Sequence, residues 1–273
     1  MRRKGYIQDF DRVVARLKKS EVNFRVEMSG VTRIIYYLDG YGNVARKAIY
    51  HGHKGMERME GLELVTMVRR ELRKRIEEGN KAPRFKVGTK VVRFHIENMT
   101  SAMNDGAEIA EVDLNACYWT TAYHLGFLSE ELYAKGWQKR KSAKIGLLAA
   151  IGSLNKKTYT EDFEFGSSKG VVRDSKDDMF RPYYWAVINR VEEVMYKAIN
   201  AVPKHHFMMW LTDCIYIRKE STPIIIDLFK ELGYEYTTGI SHISKIERNK
   251  VFWVNHDTGE EKFVFFSKNV QHG

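Results

Sequence analysis

The sequence predicts an α+β fold, an antiparallel sheet with helices packed against it. Three observations predict it. Helical and strand-like periodicities follow each other in mixed order along the chain. The strand-like runs include short turn signals, the clearest being Asp39-Gly40-Tyr41-Gly42-Asn43, which suits a hairpin. Hydrophobic residues make up 44% of 273 positions, enough for a real core, and only 4 prolines interrupt the chain.

From the N-terminus, Phe10, Val13, Val14 and Leu17 sit at helical intervals within Asp9 to Lys19. Phe24, Val26 and Met28 alternate with polar residues and Val31 to Leu38 is β-branched and aromatic, so a hairpin is expected between Asn23 and Tyr50. Leu62 to Glu78 reads as a charged helix stopped by Gly79, its basic run Arg69 to Arg75 being foremost a solvated face. Lys90 to Ile96 reads as a strand and Glu97 to Gly106 as a polar loop. A strand then passes through Ala110 and Val112 into Asp113. Leu128 to Ala134 is a short helix with Ser129 as its cap, and Trp137 to Leu154 is a longer helix, basic and then apolar. Tyr183 to Ala201 is amphipathic and is stopped by Pro203. Phe207 to Ile217 reads as one apolar strand, and Pro223 to Leu232 as a helix with Gly233 in the stop position. Ile240 to Phe266 alternates strands with a turn at Asp257-Thr258-Gly259. The expected division is an N-terminal region over 1–109, a central region over 110–239 and C-terminal strands over 240–273.

Lys and Arg number 45 against 35 Asp and Glu, a formal net charge of +10. This favours a polyanionic partner, through long-range attraction and counterion release. Cys117 and Cys214 are the only cysteines, which is no disulfide framework, and no secretory h-region is seen. A reducing, cytoplasmic setting is therefore expected. No apolar run approaches the roughly 20 residues a membrane span needs, so no membrane partner is expected. Spaced Cys/His sets that would mark a zinc site are absent: His51 and His53 flank a glycine, and His205 and His206 are adjacent.

Two segments carry candidate chemistry. Glu111 to Trp119 and Met209 to Ile217 each set a lone aspartate, Asp113 and Asp213, inside or at the end of an apolar strand. An ionised carboxylate buried without compensation is costly, so each needs a cation, a backbone cap or a metal. Two such strands side by side would bring both carboxylates to a pair of divalent ions. Mg²⁺ takes oxygen ligands, often one or two carboxylates plus substrate phosphates, and two-metal sites serve in-line phosphoryl displacement. The bland alternative makes Asp113 a helix cap and Asp213 a turn residue. Glu111, two residues before Asp113, points to the same strand face and is either an extra ligand or a salt-bridge partner.

Asp113-Leu114-Asn115-Ala116-Cys117-Tyr118-Trp119 resembles motif A of family B DNA polymerases, D-x-x-S-L-Y-P. Leu211-Thr212-Asp213-Cys214 is similar to motif C, D-T-D-S. Lys144-Ile145-Gly146-Leu147-Leu148-Ala149-Ala150-Ile151-Gly152 resembles motif B, K-x-x-x-N-S-x-Y-G. The three stand in the family's order and span roughly Ala110 to Ile217.

The resemblance implies an antiparallel polymerase palm with minimal fingers, a reduced or absent thumb, and a small N-terminal α/β region with no exonuclease domain. It implies a template-dependent DNA polymerase or primer-extending nucleotidyltransferase of a virus, mobile element or specialised host role. Such an enzyme would use Mg²⁺ or Mn²⁺, a DNA primer-template and dNTPs, with an accessory protein able to supply missing fingers or thumb. Asp113 and Asp213 would be catalytic metal ligands, with Glu111 a weaker third. Tyr118 would lie under the incoming sugar and exclude a 2′-hydroxyl. Lys144 would reach the triphosphate, and Arg140, one turn earlier on the same helix face, would share that contact. Gly152 would allow close approach of the base pair or template, and Lys141, Lys156, Lys157 and Lys245 would meet nucleic acid.

The departures are Leu211 in place of the first motif C aspartate, Trp119 in place of the motif A proline, and Leu148, Ala149 and Ile151 in motif B. They keep open an inactive palm that binds nucleic acid or a partner protein, and the paired carboxylates keep open a metal-dependent nuclease.

Overall fold

The computed structural model describes residues 3–29, 32–51, 61–83, 93–176 and 178–265. In chain order the elements are β1 (Arg3–Tyr6), α1 (Ile7–Lys19), β2 (Phe24–Ser29), β3 (Thr32–Leu38), β4 (Val44–His51), α2 (Leu62–Glu77), α3 (Ile96–Asn104), β5 (Ile109–Leu114) and α4 (Cys117–His124). They continue as α5 (Glu130–Gln138), α6 (Lys144–Gly152), β6 (Thr158–Glu164), β7 (Ser167–Asp174), α7 (Arg181–Ala201), β8 (Phe207–Leu211), β9 (Cys214–Arg218), α8 (Thr222–Glu231), β10 (Tyr236–Glu247), β11 (Lys250–Asn255) and β12 (Glu261–Phe265). The fold is α+β, with two six-stranded sheets ordered β1-β4-β3-β2-β6-β7 and β12-β11-β10-β5-β9-β8. All pairs are antiparallel except β1 with β4.

The chain separates into two compact units, Met1–Pro83 with Gly126–Trp185, and Arg84–Leu125 with Ala186–Gly273. These do not follow a linear division at 109/110 and 239/240. The reason is strand pairing: β6 joins β2 from far along the chain, and β10 pairs with β5.

In the first unit, period-2 alternation on β2 and helical spacing on α1 converge on one core. Phe10 and Leu17 pack on Phe24, Val26, Ile35, Ala48, Tyr50 and Phe163. The Phe24 and Phe163 rings stack at a centroid distance of 4.4 Å. The expected turn at residues 39–43 is present, with Asp39 Oδ1 accepting from the backbone N–H of Tyr41 and Asn43.

In the second unit the sheet is covered on both faces. Ala110, Val112 and Leu114 of β5 share one core with Ile215 and Ile217 of β9, Val191, Val194 and Met195 of α7, and Ile225 and Phe229 of α8. On the other face Ile109, Cys214, Tyr216 and Trp253 pack with Met99 and Ala102 of α3.

Several elements differ from the sequence expectation. Glu97 to Gly106 is not a loop: Ile96, Met99 and Met103 recur at one-turn spacing and build α3, while the polar residues between them face outward or cap neighbouring chain. Asn98 Nδ2, for example, donates to the carbonyls of Lys204 and Phe207 at 2.7 Å each. Of the expected strand Lys90 to Ile96, residues 90–92 lie outside the described residues, Phe94 pairs with Met209 in an isolated bridge, and Ile96 opens α3. His53 also lies outside them.

The expected helix Trp137 to Leu154 is two helices. Lys139, Arg140 and Lys141 place three cations in a row where α5 closes through tight bonds from Lys139 N to Gly136 O and Arg140 N to Trp137 O. The Arg140 guanidinium then lies 4.4 Å from the Trp137 ring and donates to the Trp137 carbonyl at 3.0 Å. Arg140 and Lys144 therefore do not share a helix face. Ser129 caps α5 as expected, accepting from Leu132 N at 3.2 Å.

Phe207 to Ile217 is likewise not one strand. Leu211 pairs with Cys214, leaving Thr212-Asp213 as a two-residue hairpin turn. The hairpin β6–β7 had no counterpart in the sequence reading.

Candidate functional site

The candidate site stands in the second unit, on β5 and the β8–β9 turn. Alternation along β5 sends Ala110, Val112 and Leu114 to the α7/α8 face and Ile109, Glu111 and Asp113 to the other. Along that second face Ile109 is fully buried, whereas Glu111 and Asp113 are half-buried. Four residues separate Ile109 from Asp113, about 13 Å of strand. The face thus runs from core to an acidic margin.

Asp113 pairs with Cys214 of β9 on one side and Thr237 of β10 on the other. The next backbone contact is Leu114 N–H donating to the Asp213 carbonyl at 3.1 Å. The two aspartates, 100 positions apart in sequence, thus have neighbouring backbones, Asp113 on β5 and Asp213 in the turn just before its pairing partner Cys214. Asp113 is inside the strand and the N-cap of α4 is Ala116, which removes the capping reading for Asp113. Asp213 is a turn residue, so its flanking apolar residues belong to two strands, and deep burial does not explain it.

The turn itself is strained. Thr212 has φ 52°, a left-handed value at a hairpin position usually given to Gly, and Thr is β-branched. Trp210 Nε1 donates to the Thr212 carbonyl at 2.7 Å and holds the turn closed. Three residues past the other aspartate, Ala116 has φ 47° as the N-cap of α4. Two of the five left-handed non-glycine residues among the described residues therefore flank the carboxylates. Tight anchoring accompanies this: Asn115 N donates to Glu235 O at 2.8 Å, and the Thr121 hydroxyl of α4 bonds the Tyr234 hydroxyl at 2.8 Å.

The acidic side chains also act on two buried thiols. Burial raises the Cys117 thiol pKa, and the charges of Asp213 and then Asp113 add to it, while a Thr121 hydrogen bond opposes. Burial also raises the Cys214 thiol, with Glu111, Asp113 and Asp213 each contributing and a hydrogen bond to Tyr216 opposing. All three carboxylates act on one thiol, and both aspartates act on both. The Cys214 thiol donates to Glu111 Oε1 at 3.7 Å. The Tyr216 hydroxyl is pushed up by burial, then by Cys214 and Glu111. Glu111 is thereby a hydrogen-bonding partner of the buried thiol, not the salt-bridge partner of a lysine that the sequence had offered as one option.

Among the described residues, no group of three or more His, Cys, Asp or Glu side chains is gathered to hold a metal ion. The donor chemistry at the aspartates still suits a hard cation. Its oxygens are carboxylate oxygens, the set Mg²⁺ takes, and the adjacent thiols are kept protonated, so they offer no thiolate to a softer ion.

Tyr118 lies on α4, half-buried against the α7/α8 core. Lys144, Arg140, Lys141, Gly152, Lys156 and Lys157 stand in the first unit. Lys144 is exposed at the start of α6. Gly152 has helical φ −58° and open space where a Cβ would stand, so nothing within the chain requires glycine there. Lys245 on β10 is ion-paired with Glu247 two residues on. Of the aromatics, Trp119, Trp210 and Trp253 are core residues. Sequence reasoning missed Trp210 and Thr212 as supports of the turn, and Tyr216 as a partner of Glu111; the missing signal was the hairpin itself. No helix among the described residues is long and apolar enough to cross a membrane. No protein-family model, curated protein or solved structure matches the chain.

Proposed function

We propose that the second unit is a small nucleotidyl-transfer centre acting on a DNA primer-template and dNTPs. The observation that carries the reading is the adjacency of Asp113 and Asp213, fixed by the Leu114–Asp213 backbone bond. Order along the chain supports it too: a strand aspartate, a connecting region and then a hairpin-turn aspartate, with Tyr118 five positions beyond the first, at the start of α4. Asp113 and Asp213 would hold Mg²⁺ or Mn²⁺. The bound ions would neutralise triphosphate charge and lower the pKa of the attacking hydroxyl. The chain's own part is positional. The strained Thr212 turn and the Asn115–Glu235 anchor fix both carboxylates before substrate arrives, as electrostatic preorganisation requires. The raised Cys117 and Cys214 thiols stay neutral and add no competing negative charge. Tyr118 bounds the sugar and selects against a 2′-hydroxyl.

Primer extension by the full-length protein with Mg²⁺ or Mn²⁺ tests this. Wild type extends a primer and Asp213→Ala does not; equal behaviour of the two overturns the catalytic reading. Tyr118→Ala is expected to ease ribonucleotide incorporation, and an unchanged sugar preference removes Tyr118 from that role. Degradation of DNA without dNTP would identify a nuclease instead. Two observations favour a non-catalytic palm: Leu211 stands where a second motif C carboxylate would be, and Glu111 is engaged by Cys214. That reading predicts no divalent-dependent dNTP binding.

A further inference from the structure

A second cluster lies at the opposite end of β5 from Asp113. His242 on β10 and His256 in the β11–β12 turn bring Nδ1 and Nε2 to 3.1 Å. The turn is held over β10 by His256 N–H donating to the Ile240 carbonyl at 2.9 Å, and Asn255 Oδ1 accepts from Asp257 N and Thr258 N at 2.9 Å each. On the far side of the His256 ring, Nδ1 is 3.3 Å from Glu108 Oε1. The other Glu108 oxygen is held by Lys219 Nζ at 2.6 Å.

This chain of contacts fixes tautomers. An ionised Glu108 only accepts, so His256 carries its proton on Nδ1 and presents the Nε2 lone pair to His242. Two facing ring nitrogens share one proton, so His242 supplies Nδ1–H in the hydrogen-bonded state. The same separation suits chelation. Tetrahedral Zn²⁺ with bonds of about 2.0–2.1 Å sets its nitrogens roughly 3.3 Å apart. A carboxylate on the remote N–H of a ligating imidazole is the usual support for such a ligand.

From this geometry we infer that His242 Nδ1 and His256 Nε2 form a two-histidine chelate for a divalent transition metal, of which Zn²⁺ is the first to try. Glu108, fixed by Lys219, orients His256. It contacts the opposite nitrogen and so is not itself a ligand. On binding, His242 moves its proton from Nδ1 to Nε2 through solvent; His256 keeps its own on Nδ1. Water fills the remaining positions, and the ion ties the β11–β12 turn to β10. Imidazole suits Zn²⁺, Ni²⁺ and Cu²⁺, whereas Mg²⁺ prefers oxygen, so the site is separate in chemistry and place from the aspartates.

Competition of the full-length protein with a chromophoric chelator for Zn²⁺, run in excess Mg²⁺ to occupy the carboxylates, tests the inference. The expected result is one Zn²⁺ equivalent whose affinity falls about tenfold or more in His242→Gln, in His256→Gln and in Glu108→Gln. Imidazole NMR of the wild type is expected to show Zn²⁺ perturbing His242 and His256 before the other histidines. Unchanged affinity in the histidine variants, first perturbation of other histidines, or no Zn²⁺ binding below millimolar concentration would overturn it. Primer extension is untouched by any of these outcomes, so this inference and the proposed activity fail separately.

Discussion

Acidic side chains on the two sheets meet different neighbours. In the first, carboxylates meet cations or hydroxyls across the strands: Asp162 pairs with Arg25 at 2.6 Å, Glu27 accepts from the Tyr36 hydroxyl at 2.9 Å, and Glu161 from the Ser168 hydroxyl at 2.6 Å. Burial, with that Glu27 bond, pushes the Tyr36 hydroxyl up to about 12. In the second sheet, Asp113 and Asp213 act on two buried thiols and Glu111 on one of them, next to a strained turn. The first arrangement knits strands; the second concentrates negative charge at a rigid margin. Strain and like charge held by a well-packed core are what a preorganised site needs.

Six substitutions sharpen the contrast. The largest expected effect is on activity: Asp113→Ala or Asp213→Ala should lower primer extension by about a thousandfold, with far-UV circular dichroism unchanged. Next comes packing. Ile215 is fully buried within the two-sided sheet, and Ile215→Ala should cost about 3 kcal/mol in denaturant unfolding. Val172, exposed on β7, should cost under about 0.5 kcal/mol on the same change. Thr212→Gly relieves the left-handed turn and should stabilise by about 1 kcal/mol; a loss of stability would show that the turn is not strained. Arg25→Ala removes a pair whose side chains are about half exposed and should cost less than about 1 kcal/mol.

The smallest effect is pH-dependent. Burial, then the charge of Arg190, holds His124 below its ordinary pKa of 6.5. A histidine kept neutral in the folded state contributes stability above its unfolded pKa and loses it as pH falls through the folded value. Unfolding free energy should therefore decline below about pH 6.5, more gently in His124→Gln.

Much of the scaffold was legible in sequence because its signals were local. The Asp39 to Asn43 turn, the Ser129 cap and Gly233, with φ 75° after α8, all stand where turn and cap chemistry put them. The β8–β9 hairpin was not legible. Its turn is Thr-Asp, without Gly or Asn, and is closed by a tryptophan side chain and a strained φ rather than by residue preference. The α5/α6 break was hidden similarly, because Lys139 to Lys141 are good helix formers and an Arg–Trp contact ends the helix. At the site, the two aspartates could be picked out as lone carboxylates among apolar residues, yet their meeting depends on β5 pairing with β9. That is long-range register, which local periodicity does not encode.

The most direct test is a Mn²⁺ titration of the full-length protein followed by electron paramagnetic resonance, with and without dNTP. If Asp113 and Asp213 share a cation, wild type removes the free Mn²⁺ signal in the presence of dNTP, and Asp113→Asn and Asp213→Asn each restore it. Equal Mn²⁺ uptake by wild type and both asparagine variants would contradict the shared site.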